Sequence, residues 1–142
     1  MKTILELENY LEDECYSFSG ISIGKHQTFE GLVIRKEKNR FIFGYVEKGV
    51  LDVIQSFIDE KDLVQYALKE LKKDNWYKGH LVAWTWTKEE IEAAEQELIK
   101  MNIEYKRNDI PDYSKHERAY RIFVFGKDVI RLTDFKEKFL LK

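Results

Sequence analysis

The chain predicts an α+β domain: a mainly antiparallel β-sheet with about three α-helices packed on it. Three observations lead there. Aromatic residues reach 14%, with nine Phe, eight Tyr and three Trp, and such side chains suit the half-buried surface of a sheet. Segments opening at Thr3, Asp59 and Thr87 carry helix-start signals followed by apolar residues of helical period. Residues 121–132, RIFVFGKDVIRL, set two apolar runs either side of Gly126-Lys127. They read as a buried β-hairpin, because glycine takes positive φ without steric cost.

Taken in order, Thr3 and Glu6 form a capping-box pattern, in which hydroxyl and carboxylate satisfy free amides at a helix start. Ile4, Leu7 and Leu11 give one apolar stripe, so the first helix is expected to run to about Asp13. Cys15 to Ile23 reads as a strand, with a change of parity at Gly20 that marks a bulge. Phe29–Arg35 and Arg40–Val46 read as paired strands around the polar turn at residues 36–39. The second is apolar on both parities and is expected to be central. Val50–Phe57 adds a strand. Asp59 then caps a second helix, with Ile58 and Leu63 placed as a hydrophobic staple and Leu63, Ala67 and Leu71 as its stripe.

Leu81–Thr85 is a short strand with Val82, Trp84 and Trp86 on one parity. Thr87 and Glu90 open the third helix. Its buried stripe is Ile91, Ala94, Leu98 and Met101, and Asn102 is its stop. A strand at Ile103–Arg107, a polar loop through Pro111 and His116, and the C-terminal hairpin complete the reading. One proline and seven scattered glycines mark no linker, so residues 1–142 are expected to form a single domain.

The 142 residues are 44% hydrophobic and 35% charged, a balance that argues against disorder and for a solvated exterior. Cys15 is the one cysteine, which rules out an internal disulfide and fits a reducing compartment. The N-terminal MKTILELENYL is too acidic and amphipathic for a signal peptide. No apolar run approaches the roughly 20 residues that cross a bilayer. A cytoplasmic protein that does not insert in membranes is the expectation.

No catalytic motif is legible: GxSxG, GxGxxG and a Walker loop are all missing. His26, His80 and His116 are far apart in the chain and form no HxH, HExxH or CxxC pattern. Neither a metal nor a cofactor is therefore expected. Three surface features stand out. On the third helix, Glu89, Glu92 and Glu95 lie opposite the apolar stripe, either as a solvated face or as an acidic patch for a basic protein. Trp76 and Tyr77, in the polar stretch DNWYKG, are either an aromatic anchor or packing at a sheet edge. The C-terminal part interleaves Tyr105, Lys106, Arg107, Tyr113, Lys115, Arg118, Tyr120 and Arg121, a pattern able to bind single-stranded nucleic acid. The formal net charge of −2 weighs against that use.

The N-terminal helix leading into CYSFSGISIG, then FIFGYVEKG before SFIDEKDLVQYALKEL, and the ending YRIFVFGKDVIRL together resemble bacterial immunity proteins of polymorphic toxin systems, the immunity protein 59 type. The resemblance implies a non-enzymatic, single-domain protein that binds a cognate toxin domain stoichiometrically and blocks it inside the producing cell, as in contact-dependent inhibition. It brings no catalytic residues. If the toxin is a basic nuclease, Glu89, Glu92 and Glu95 are the first expected contacts, with Trp76 and Tyr77 as anchors. The alternatives are a nucleic-acid-binding module and a small enzyme or ligand-binding domain assembled from distant residues.

Overall fold

In the computed structural model, which describes residues 1–115 and 117–140, the chain divides into two compact units, Met1–Tyr77 and Lys78–Lys142. Among the described residues there are four α-helices and eight strands in an α+β arrangement. The strands form two sheets in which antiparallel pairing dominates.

The first unit opens with α1 (Ile4–Asp13). Thr3 accepts from the Glu6 amide while the Glu6 side chain accepts from the Thr3 amide, so the capping box predicted from the sequence is formed. The helix ends in a left-handed residue, Cys15 (φ 55°). Its amide bonds Glu12 O at 3.1 Å, and the Tyr16 amide bonds Leu11 O at 2.9 Å, the paired closure of a Schellman motif. That closure consumes residues expected to begin a strand. β1 is therefore only Ile21–Ile23, and the strand predicted from Cys15 is corrected to a turn.

β2 (Gly31–Glu37) lies parallel to β1 and antiparallel to β3 (Arg40–Glu47), which pairs in turn with β4 (Val50–Phe57). The order β1-β2-β3-β4 gives β3 the inner position expected of it. α2 (Glu60–Lys72) lays Leu63, Val64, Ala67 and Leu71 against Leu7 and Leu11 of α1 and Ile34 and Phe43 of the sheet. Ile58 is 72% exposed, so the predicted staple onto Leu63 does not form. Leu63, fully buried, is the kind of residue whose truncation to Ala costs about 2–5 kcal/mol.

The second unit is built on β5 (Gly79–Thr85), α3 (Lys88–Lys100), β6 (Lys106–Arg107), β7 (Ile110–Ser114), β8 (Glu117–Phe125) and α4 (Thr133–Phe139). Thr87 caps α3 by accepting from the Glu90 amide, and Asn102 (φ 57°) ends it through a second Schellman closure. β8 pairs with β5 along one edge and with β6 and β7 along the other. Two expectations fail here. The polar loop through Pro111 contains β7, an outer strand where proline's missing N–H is tolerated; His116 lies outside the described residues.

The C-terminal hairpin is also absent. Gly126 (φ 66°) ends β8, residues Gly126–Leu132 form a 3-10 turn, and α4 follows. Val129, Leu132, Phe135 and Phe139 recur at helical spacing and pack with Val82, Ile91, Leu98, Ile122 and Val124. The DVIRL run therefore serves a helical face, and among the described residues the helices number four where about three were expected. No helix among the described residues is long and apolar enough to cross a membrane.

Candidate functional site

Four arrangements bring chemistry together, three in the second unit and one in the first. At the end of β5, Trp84 and Trp86 meet Tyr113 of β7. The ring centroids are 5.9 Å apart for Trp84–Trp86, 5.4 Å for Trp84–Tyr113 and 5.2 Å for Trp86–Tyr113, in tilted and edge-on geometries. Edge-on contact of this kind is the favoured arrangement of aromatic quadrupoles. Trp86 remains 39% and Tyr113 51% exposed. Thr87, the cap of α3, directly follows Trp86, so the first helical turn with Glu89 and Glu90 starts beside the cluster.

Glu89, Glu92 and Glu95 share one face of α3, and with Gln96, Ile99 and Tyr105 they line an open depression of about 560 Å³. Glu89 and Glu92 are exposed; Lys88 stands 3.8 Å from Glu92. Glu95 differs from them. It accepts from the Tyr105 hydroxyl at 2.9 Å and from Arg107 Nη1 at 3.0 Å, so most of its charge is answered within the unit. Trp76 and Tyr77 belong to the first unit, on a 3-10 turn at Asn75–Lys78. Trp76 is 41% exposed, whereas Tyr77 packs on the first apolar cluster and its carbonyl accepts from the Ser17 amide.

The basic and aromatic residues of the C-terminal part are drawn into a network around Asp109. That carboxylate accepts from Arg107 Nη2 at 2.6 Å, Arg118 Nη2 at 3.4 Å and the Arg121 amide at 3.1 Å. Arg121 also donates to Asn108 O and Oδ1, and its guanidinium lies over Trp84. Arg107 and Arg118 lie over Tyr120. Cations engaged in this way offer less to a phosphate backbone than their number in the sequence suggests.

In the first unit the fold brings His26 to two carboxylates of α1. Ile23 and His26 exchange backbone hydrogen bonds of 3.0 and 2.9 Å across a tight turn, with Gly24 at φ 56°. The His26 ring stacks on Phe18 with centroids 3.6 Å apart. Its Nε2 is 2.6 Å from Glu12 Oε2 and 3.8 Å from Glu8 Oε2. The hydrogen bond from His26, set against the opposing effect of burial and joined by Lys25, holds the Glu12 carboxyl below its usual value. The spacing of histidines along the chain gives no sign of this convergence, because two of the three groups are glutamates on a preceding helix. A signal was present nonetheless: Ile4, Glu8 and Leu11 fall on one helical face, so Glu8 occupies a core position.

Compared with models of protein families, with curated proteins and with solved structures, the chain matches none.

Proposed function

We propose that the protein is a non-enzymatic inhibitor that binds a basic protein domain stoichiometrically, as an immunity protein binds its cognate toxin in the bacterial cytoplasm. The observation that carries this reading is the Trp84–Trp86–Tyr113 cluster, with Trp86 and Tyr113 exposed, beside the acidic opening of α3. Large aromatics near the centre of an interface supply most of its binding energy. Carboxylates at the rim steer a basic partner and raise the association rate. Glu89 and Glu92 serve as the steering charges; Glu95, paired with Arg107, contributes less. Trp76 is a further aromatic contact in the first unit, while Tyr77 is held by the packing around it.

The test is association with any toxin domain that a neighbouring gene encodes. Glu89→Lys with Glu92→Lys should slow association by about 10-fold while leaving dissociation nearly unchanged. Trp86→Ala should do the reverse, accelerating dissociation at a cost of about 2 kcal/mol or more. If both variants bind with wild-type kinetics, this surface is not the interface. If the chain neither binds that domain nor relieves its toxicity, the inhibitor reading fails altogether. A salt-sensitive shift with single-stranded RNA or DNA, lost in Tyr113→Ala, would instead support the nucleic-acid-binding alternative.

A further inference from the structure

The Glu8–Glu12–His26 cluster has the properties of a built site. Glu8 sits on the apolar face of α1 between Ile4 and Leu11 and is only 6% exposed. A carboxylate is costly at such a position unless donors or a cation compensate it. Its contacts are the Lys25 amide, which donates to Oε2 at 3.0 Å, and the more distant His26 ring. Space for the carboxylate comes from Gly24, where a Cβ would collide with it. The imidazole is an independent element of the site, oriented by its stack on Phe18 and by the closed turn that carries it. Glu12, one helical turn beyond Glu8, brings the second carboxylate to the same ring nitrogen.

One donor atom from each of the three residues lies within 4.8 Å of the others. The 2.6 and 3.8 Å separations from Nε2 to Glu12 and Glu8 bracket the roughly 3.3 Å between two ligands bound at about 2.0–2.2 Å to one tetrahedral ion. Small movements of the His26 ring toward Glu8 and of the Glu12 side chain, 31% exposed, away from the ring would bring both separations to that value.

We propose that Glu8, Glu12 and His26 bind a divalent first-row transition-metal ion, Zn²⁺ in preference to Mn²⁺, and that the ion pins the turn at residues 23–26 to α1. The imidazole nitrogen favours such an ion over Mg²⁺ or Ca²⁺, which take oxygen donors. Three protein ligands leave a fourth position for water. On binding, Nε2 coordinates as neutral imidazole and any proton it carried passes to solvent. Lys25 Nζ, 3.3 Å from Glu12 on a side chain that is 75% exposed, swings into water. The divalent charge then offsets the two carboxylates.

The test uses the full chain after treatment with a chelator, titrated calorimetrically with Zn²⁺ alone. One equivalent should bind, raise the midpoint of thermal unfolding and shift the ring resonances of His26. Glu12→Gln and His26→Gln should each weaken Zn²⁺ binding by at least about 10- to 100-fold, and Glu8→Gln should do the same wherever circular dichroism shows it folded. Affinity should fall in acid, where protons compete with the ion for its ligands. Failure to bind Zn²⁺, or equal binding by the wild type and the Glu12→Gln and His26→Gln variants, would overturn the assignment. None of these readouts involves a protein partner, so the outcome is separate from that of the inhibitor reading.

Discussion

Asp109 shows how one half-buried acid can organise a surface rich in arginine. Burial pushes its carboxyl pKa up, but hydrogen bonds from Arg107, the Arg121 amide and Arg118 outweigh burial and hold it below the usual 3.8. A carboxyl depressed in the folded state adds stability above its unfolded value, and that contribution is lost as pH falls through the folded value. Asp109→Asn should therefore destabilise the protein by about 1–3 kcal/mol near neutral pH. Denaturant unfolding repeated well below pH 3.8 should show the gap between variant and wild type closing, because the wild-type carboxyl is then also neutral. A gap that persists in acid would mean Asp109 acts through shape and not through charge. The arginines were legible as a basic, aromatic stretch, but their pairing with Asp109 was not. Residues 107, 109, 118 and 121 meet only when β6, β7 and β8 are laid side by side.

At the scale of elements, helix boundaries were the most legible part of the chain. Thr3, Glu6, Thr87 and Asn102 act where their chemistry said they would, because capping is decided within a few residues of the backbone. Thr3→Ala should cost about 1 kcal/mol of stability, measurable as a lowered thermal midpoint. The hairpin between β3 and β4 turns on Lys48 (φ 52°) and Gly49 (φ 78°). Two residues of positive φ suit Asn-Gly better than Lys-Gly. Lys48→Asn should therefore stabilise by about 0.5–1 kcal/mol, and an unchanged or lowered midpoint would count against that turn geometry. The C-terminal segment departs from its predicted hairpin for a related reason. Gly126 does take positive φ, but a single glycine serves a strand end as well as a hairpin. The spacing of Val129, Leu132, Phe135 and Phe139 was the better guide to a helical ending.

For the whole molecule, the prediction concerns field and not contact. The steering charges Glu89 and Glu92 are exposed, so association with a basic partner should slow as salt shortens the screening length from about 10 Å at 0.1 M to about 3 Å at 1 M. In Glu89→Lys with Glu92→Lys the salt slope should flatten or reverse. Rates measured across that range by stopped-flow mixing check it, and equal slopes in both proteins would place the steering elsewhere. The division into Met1–Tyr77 and Lys78–Lys142, each unit with its own apolar cluster, has no composition change or proline-rich linker to announce it.

By itself the amino-acid order determined the α+β class, the three helix starts, the strands at residues 31–57 and the short strand before α3, because capping, turn chemistry and side-chain periodicity act over short distances along the chain. Only the tertiary structure decided which polar groups meet. Glu95 with Arg107, the three arginines around Asp109, and His26 with Glu8 and Glu12 all join residues separated by turns whose closure depends on packing. Distance along the chain carries little information about such pairs, since one tight turn can carry a residue back to a helix that passed many positions earlier.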